Sequence, residues 1–257
     1  MNWFIEKLYD DQGYYQELLH EITRCGNIPI VYEEFPEQLN HYSKYSHEKN
    51  MIFHGSYQTA CEIQEQMSWV PGVIGYPYDQ YVVSLLTKNY STECINNGLY
   101  TATLGKFIDA AGEYMRSFGS DCVFIRPDAV DKAFSGQIIS QTSLSSFIQS
   151  MRIYDVDNDT PVIISHVRNI EYEWRVIYSC GSVVTGCQYS PKYQCGLPQR
   201  VIEYCEGIGL YEPDPIFIID IAESHDRLYL IEMGTFSCSD FYVSDPENIV
   251  KKVNEIW

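Results

Sequence analysis

Two apolar runs near the end of the chain, Ile216–Ala222 (IFIIDIA) and Leu228–Met233 (LYLIEM), decide the fold. Each run is interrupted by one carboxylate, Asp220 in the first and Glu232 in the second, and the turn-forming sequence SHDR separates them. This pattern predicts an antiparallel hairpin. If its turn is centred on Asp226, then Asp220 and Glu232 lie directly opposite each other, because each is six residues from that centre.

Two carboxylates that face each other across a hairpin repel, and a bound cation removes that repulsion. Opposed side chains have Cβ atoms about 5 Å apart, and at an effective dielectric near 20 the repulsion is roughly 3 kcal/mol. Mg²⁺ reverses the sign, because it prefers oxygen ligands and commonly takes one or two carboxylates together with substrate phosphates. The alternative is a shifted register in which one carboxylate faces solvent, and the spacing alone leaves both open.

The rest of the chain predicts an α+β protein and not a doubly wound parallel sheet, because helices alternate with short antiparallel hairpins. Residues 1–100 are predicted to form a small N-terminal α/β domain, and residues 101–257 a second domain. In the first domain we predict a helix near residues 15–24, strands at 28–32 and 51–56, and a helix from Ser56 to about Met67. In the second we predict helices at 104–118 (capped by Thr103), 143–151, 199–207 and 246–256, and strands at 122–126, 133–139, 162–165, 172–178, 182–189, 216–222 and 228–233.

Composition excludes some classes of function. The 257 residues contain 17 basic and 35 acidic side chains, a net charge of −18. Because nonspecific attraction to phosphates depends on clustered cations, we expect neither nucleic acid nor anionic membrane as a partner. Nine cysteines without a CxxC pair indicate thiols in a reducing compartment. With no signal-peptide pattern and no apolar run of about 20 residues, we predict a cytoplasmic protein.

Basic residues occur at two further informative places. Arg126 and Lys132 flank a turn that follows a predicted strand and precedes the glycine-containing sequence FSG. Such a loop can close over phosphates, although an ordinary solvated turn also fits the pattern. In the strand EYEWRVIY (171–178), Glu173 and Arg175 share one face. Arg175 is therefore either an ion-pair partner of Glu173 or a phosphate ligand.

Taken in order along the chain, these motifs form a more specific pattern. FIRPD, KAFSG, VIIS, EWR, VVTGCQY, IDIA and LIEM follow one another between residues 124 and 233. This ordered set resembles the ATP-grasp superfamily and, within it, the clade characterised by two arginines and one lysine. The resemblance covers roughly residues 50–245.

The resemblance implies an ATP-grasp-like fold, in which two α+β subdomains clamp a nucleotide behind a small α/β N-terminal domain. It implies ATP and Mg²⁺ as cofactors and an acyl phosphate as intermediate, made from a carboxylate and consumed by an amine. Both substrates are expected to be small molecules or peptides. The residues that it assigns are Arg126, Lys132 and Arg175 as catalytic, phosphate-facing cations; Val162, Ile163, Ile164 and Ser165 as the adenine-side segment, with Glu173 in the same cofactor-binding set; and Asp220 and Glu232 as metal ligands.

The chain departs from the family at one metal ligand. The family motif continues Glu-x-Asn, whereas here Glu232 is followed by Met233 and Gly234. Since glycine has no side-chain oxygen, Asp240 is the candidate replacement. The departure keeps two alternatives to a ligase open: a nucleotide-binding protein without ligase activity, and a non-catalytic interaction module.

Overall fold

The computed structural model describes residues 1–7, 14–32 and 41–257, in which strands and helices alternate. The strands are β1 (Asn2–Glu6), β2 (Ile28–Tyr32), β3 (Asn50–His54), β4 (Val70–Gly72), β5 (Tyr100–Thr103), β6 (Cys122–Pro127), β7 (Gln137–Ser140), β8 (Pro161–Ser165), β9 (Tyr172–Ser179), β10 (Ser182–Ser190), β11 (Gln194–Cys195), β12 (Phe217–Ser224) and β13 (Arg227–Thr235). The α-helices are α1 (Tyr14–Arg24), α2 (Tyr57–Gln66), α3 (Val83–Asn89), α4 (Leu104–Ser117), α5 (Leu144–Ile153), α6 (Gln199–Gly207) and α7 (Pro246–Ile256).

Three sheets organise the strands. One has the order β2-β1-β3-β4 and is parallel throughout. The second has the order β5-β8-β6-β7 and is antiparallel throughout. The third has the order β11-β10-β9-β12-β13. The predicted α+β class is confirmed.

The chain divides into two compact units, each made of segments that are not contiguous in sequence. The first unit contains Met1–Pro77, Tyr172–Ile221 and Gly234–Trp257, and the second contains Tyr78–Glu171 and Ala222–Met233. The hairpin of β12 and β13 therefore contributes residues to both. The predicted boundary between domains at residue 100 stays a prediction.

In the first unit, one buried cluster includes Trp3, Leu18, Phe236 and Val250. Helix α2 begins where the sequence predicts, because the Ser56 hydroxyl accepts a hydrogen bond from the Thr59 amide at 3.2 Å.

In the second unit, helices α4 and α5 pack on the antiparallel sheet. Their apolar faces meet it in a buried cluster that includes Phe107, Phe147, Ile125 and Val162. As predicted, Thr103 caps α4, and its hydroxyl accepts from the Lys106 amide. This core holds β6 and β8, which carry the predicted nucleotide residues, in fixed register.

Three local expectations need correction. β1 was not predicted, although it is the strand that β2 and β3 both pair with. Strand β7 begins at Gln137 and not at Ala133. The hairpin turn consists of His225 and Asp226, both with positive φ, as a two-residue type I′ turn requires. The turn centre thus lies between His225 and Asp226. Asp220 lies five residues before His225, whereas Glu232 lies six residues after Asp226. The equal spacing that predicted the two acids directly opposite each other therefore does not hold.

No helix in the described ranges has the length and apolar character needed to cross a membrane.

Candidate functional site

The second unit contains a buried carboxylate bound by two basic side chains, which we call the Glu232 group: Arg126, Lys132 and Glu232. Strand β6 places Arg126 inside the antiparallel sheet, opposite Ile163 of β8. The Arg126 Nη2 donates to Glu232 Oε2, and Lys132 Nζ donates to Oε1 at 2.8 Å. Both predicted phosphate-facing cations of this unit therefore contact one predicted metal ligand.

Electrostatics keep Glu232 ionised despite its burial. Burial by itself raises the pKa of the carboxyl group, because it removes water from the charged form. The charges and hydrogen bonds of Arg126 and Lys132 outweigh that effect and hold the pKa of Glu232 well below its usual range. At neutral pH the group is an anion between two cations, with a net charge of +1.

The loop between β6 and β7 gives the two cations different exposure. The Arg126 side chain is 10% exposed and the Lys132 side chain is 52% exposed. Lys132 has a left-handed backbone conformation, with φ of 43°. The loop is anchored at its start, where the Asp128 amide donates to the Pro161 carbonyl at 2.9 Å. Lys132 thus reaches Glu232 from the solvent side, while Arg126 reaches it from inside the sheet.

The first unit contains a second buried ion pair, which we call the Asp220 group: Arg175 and Asp220. Arg175 Nε donates to Asp220 Oδ1 at 2.9 Å, and Nη2 donates to Oδ2 at 2.7 Å. The third nitrogen, Nη1, donates to the Asp240 carbonyl oxygen at 2.8 Å. Because β9 and β12 are neighbours in the sheet, the two side chains meet in the two-pronged geometry that suits guanidinium and carboxylate.

Aromatic rings also cover Arg175, which the sequence did not predict. The guanidinium carbon lies 4.5 Å from the centroid of the Tyr242 ring and 5.7 Å from that of Tyr189. Tyr242 has a φ of 51°, which is rare for a bulky residue, and its amide donates to Asp240 Oδ1 at 2.7 Å. No periodicity marks such a residue in the sequence, so only the structure identifies it.

The predicted adenine-side segment lies in β8, in the middle of its sheet. Residues 161–164 pair with β5 on one side, and residues 162–165 pair with β6 on the other. The ladders thus occupy the backbone of Val162, Ile163 and Ile164 on both sides. Ser165 pairs with β6 alone, and its hydroxyl donates to Asn96 Oδ1 at 2.9 Å. Ser165 is therefore the first residue of this segment whose backbone has no strand partner on the β5 side, where an adenine edge can approach it.

The remaining predicted residues occupy separate positions. Glu173 accepts a hydrogen bond from the Tyr189 hydroxyl at 3.1 Å. Asp240 is exposed, and it meets Arg175 through its main-chain oxygen. Among the residues that the structure describes, no three His, Cys, Asp or Glu side chains gather into a group that could hold a metal ion. The set Asp220, Glu232 and Asp240 stays a prediction.

The donor chemistry of Asp220 and Glu232 fits Mg²⁺. Both are buried carboxylates, and a carboxylate oxygen that accepts one hydrogen bond keeps a further lone pair. One or two carboxylates with phosphate oxygens are a common Mg²⁺ set. Position 234 adds no ligand, because glycine has no side chain. A Cβ built on Gly234 would lie 2.7 Å from the Ser239 hydroxyl oxygen. That hydroxyl fills the space of a side chain there.

Comparison with solved structures identifies the fold. The structure superposes on a RimK-domain ATP-grasp protein from Sphaerobacter thermophilus with a TM-score of 0.65 at 12% identity, covering 99% of this chain and 100% of that one. It superposes on D-cycloserine synthetase DcsG with a TM-score of 0.66 at 11% identity, covering 100% and 99%. For D-alanine–D-alanine ligase from Bacillus anthracis the TM-score is 0.58 at 12% identity, covering 99% and 91%. This is the ATP-grasp fold.

The family follows from the sequence. The model for the ATP-grasp domain of the clade with two arginines and one lysine, family 2, matches residues 107–252, more than half of the chain. The chain belongs to that family, as the ordered motifs predicted. No curated protein matches the chain in sequence.

Proposed function

We propose that the protein is an ATP- and Mg²⁺-dependent carboxylate–amine ligase that acts through an acyl phosphate. One observation carries the proposal: the carboxylates of Asp220 and Glu232, both expected to bind the metal, are paired with side chains expected to bind phosphate, Arg175 for the first and Arg126 with Lys132 for the second. Such pairs keep buried charges neutralised before the nucleotide arrives. Family membership and the ATP-grasp fold support the same function.

In this proposal the basic residues bind the triphosphate. Arg126 and Arg175 offer planar, permanently charged donors, and Lys132 offers a compact charge on an exposed stem. Asp220 and Glu232 would hold Mg²⁺, which supplies charge neutralisation at the transferring phosphoryl group when it is bound. Ser165, at the open end of β8, is the proposed position for contact with the adenine edge.

The proposed reaction has two steps. A substrate carboxylate oxygen attacks the terminal phosphorus of ATP, and the bond to the ADP oxygen breaks. The substrate amine then attacks the acyl carbon, the acyl–phosphate bond breaks, and the amine proton leaves with phosphate or water. In both steps, fixed cations stabilise negative charge that develops on phosphoryl oxygens.

The proposed substrates are a small-molecule or peptide carboxylate and an amine. Among the structural relatives, D-cycloserine synthetase and D-alanine–D-alanine ligase are named for small molecules, and the macrocyclase MdnC was crystallised with its precursor peptide. The net charge of −18 favours a basic acceptor over an acidic one. We also propose a cytoplasmic location, on the grounds of the cysteine content.

The test combines ADP release with matched acid variants. Amino acids and peptides are screened in pairs for stimulated release of ADP and phosphate from Mg-ATP. For an active pair, Asp220→Asn and Glu232→Gln should abolish turnover. Glu223→Gln serves as the control, because Glu223 is also a buried acid of β12 but lies outside the proposed set. Full turnover in both site variants would overturn the proposal.

One observation favours a second candidate, a nucleotide-binding protein without ligase activity. Gly234 brings no side-chain oxygen, and Ser239 occupies the space that one would need. A thermal-shift measurement separates the two functions from an interaction module, because a ligand at about 100 times its Kd adds about 2.7 kcal/mol to stability. A shift with Mg-ATP but no stimulated ADP release by any pair would favour this second candidate, and no shift would favour the interaction module.

A further inference from the structure

Two cysteines lie directly opposite each other on neighbouring antiparallel strands. Cys187 of β10 is the register partner of Cys195 of β11. Beside them, the Gly196 amide donates to the Gly186 carbonyl at 3.0 Å. Since hydrogen-bonded and non-hydrogen-bonded pairs alternate along an antiparallel ladder, the cysteines form a non-hydrogen-bonded pair.

This position brings the two side chains into disulfide range. In non-hydrogen-bonded pairs the Cα atoms are about 4.5 Å apart, and the side chains approach each other on one face. Disulfides span Cα separations of roughly 4.4–6.8 Å. Both cysteines are free thiols in this structure, and the spacing expected for their register lies within the range that a bond would need.

The two thiols differ in access to solvent. Cys187 is fully buried, and its sulfur lies 3.8 Å from the Phe241 carbonyl oxygen as a weak donor. Cys195 is exposed, on a two-residue strand at the edge of the sheet. Burial raises the pKa of the Cys187 thiol. An oxidant from solution therefore meets Cys195 first.

We propose that Cys187 and Cys195 are a redox pair that forms a reversible disulfide by exchange with a low-molecular-weight disulfide. The Cys195 thiolate attacks one sulfur of the small disulfide, whose S–S bond breaks and releases one thiol. The Cys187 thiolate then attacks the Cys195 sulfur of the mixed disulfide, and the second small thiol leaves. Two protein thiols are oxidised, the small disulfide is reduced to two thiols, and these carry away both protons.

The site lies beside the Asp220 group but is independent of the proposed ligase function. Cys187 is opposite Cys195 on one side and opposite Arg175 of β9 on the other. The three residues thus form one row across β11, β10 and β9. The bond would close the short β10–β11 loop at an exposed sheet edge, where disulfides are readily reduced again.

The test uses the intact folded protein and oxidised glutathione. After incubation, free thiols are alkylated and the protein is digested with trypsin, which cleaves after Arg175, Lys192 and Arg200. Because Lys192 lies between the two cysteines, the bond should appear as a linked pair of peptides, 176–192 and 193–200. Dithiothreitol should separate the pair.

Cys180 provides an internal control, because it is exposed and lies in peptide 176–192 together with Cys187. Fragmentation should place the bond on Cys187 and leave Cys180 alkylated or carrying glutathione. In Cys187→Ser, glutathione should accumulate on Cys195, because the resolving thiol is gone. A stable glutathione adduct on Cys195 of the unmodified chain, with Cys187 alkylated, overturns the proposal, as does a bond from Cys195 to another cysteine.

Discussion

The Glu232 group and the Asp220 group use the same chemistry with different freedom. In both, a buried carboxylate is paired with basic side chains, two in the first group and one in the second. The Glu232 group shares its anion between buried Arg126 and half-exposed Lys132, which lies on a loop. In the Asp220 group one guanidinium is held by a carboxylate, a main-chain oxygen and an aromatic ring.

The two groups differ in how easily a cation could exchange its carboxylate partner for another anion. If these cations bind phosphate as proposed, Lys132 can exchange Glu232 for a phosphate oxygen more readily than Arg126 can, because its side chain is half-exposed and its stem is flexible. Arg175 is held at all three nitrogens and on one face, so if it binds phosphate as proposed, it does so from a fixed position.

The largest expected effect on stability comes from removing Arg126, the buried cation of the Glu232 group. Arg126→Met leaves Glu232 buried with a single, exposed partner, and we expect a loss of about 3–5 kcal/mol in the free energy of unfolding. Lys132→Met is the matched control, and the expected loss is only about 0–1 kcal/mol, because the Lys132 side chain is half-exposed and Arg126 still neutralises Glu232. Urea-induced unfolding measures both. Equal losses in the two variants would show that exposure does not distinguish the two cations.

The two units are also expected to differ in their sensitivity to acid. In the first unit, burial lowers the pKa of His54 to about 4 from its ordinary 6.5, although the charge of Asp240 and the Phe236 backbone act in the opposite direction. The unfolded chain then binds a proton that the folded chain does not, so stability falls as the pH drops from 6.5 towards 4, by roughly 3 kcal/mol in all. In the second unit the lowered pKa of Glu232 acts only below its ordinary value of 4.5.

Denaturant unfolding at several pH values between 4.5 and 7 isolates His54. His54→Leu should flatten the decline in stability over this window. His47→Gln should leave the decline unchanged, because that side chain is 75% exposed. A decline of the same steepness in His54→Leu would assign the acid sensitivity to other groups.

Local signals explain why much of the fold could be predicted from the sequence. Helix α4 and its cap Thr103 follow from apolar spacing and one hydroxyl, which neighbouring residues determine. Strand β1 was not predicted, because its five residues, NWFIE, show no alternation of apolar and polar side chains. The sequence predicted a turn within SHDR but not its centre, because neither His225 nor Asp226 is glycine, the residue typical of positive φ.

The motifs name residues that the structure brings into contact, but the contacts themselves could not be predicted from the sequence. The motifs named Arg175 and Asp220, yet 45 residues separate them, and only the order of strands in the sheet brings them together. The sequence does not indicate that Tyr242 contacts Arg175, because this contact depends on a left-handed backbone in a turn. Pairing across a sheet and strained turns are tertiary properties, which spacing along one chain does not determine.

The smallest expected effect tests how firmly Arg175 is held. Tyr242→Leu removes the ring above the guanidinium but keeps a branched side chain at the same positive φ. A cation–π contact contributes about 0.5–2 kcal/mol. If Arg175 binds phosphate as proposed, the KM for ATP should therefore rise roughly 2- to 30-fold.

Two further variants separate the ring from other properties of Tyr242. Tyr242→Phe keeps the aromatic face and should keep the KM for ATP. Tyr193→Leu removes a ring that contacts Tyr242, at 5.6 Å between centroids, and leaves the ring over Arg175 in place, so a small change is expected. If Tyr242→Phe raised the KM as far as Tyr242→Leu, the hydroxyl and not the ring would position Arg175. The Asp220 group would then depend on hydrogen bonding alone, like the Glu232 group.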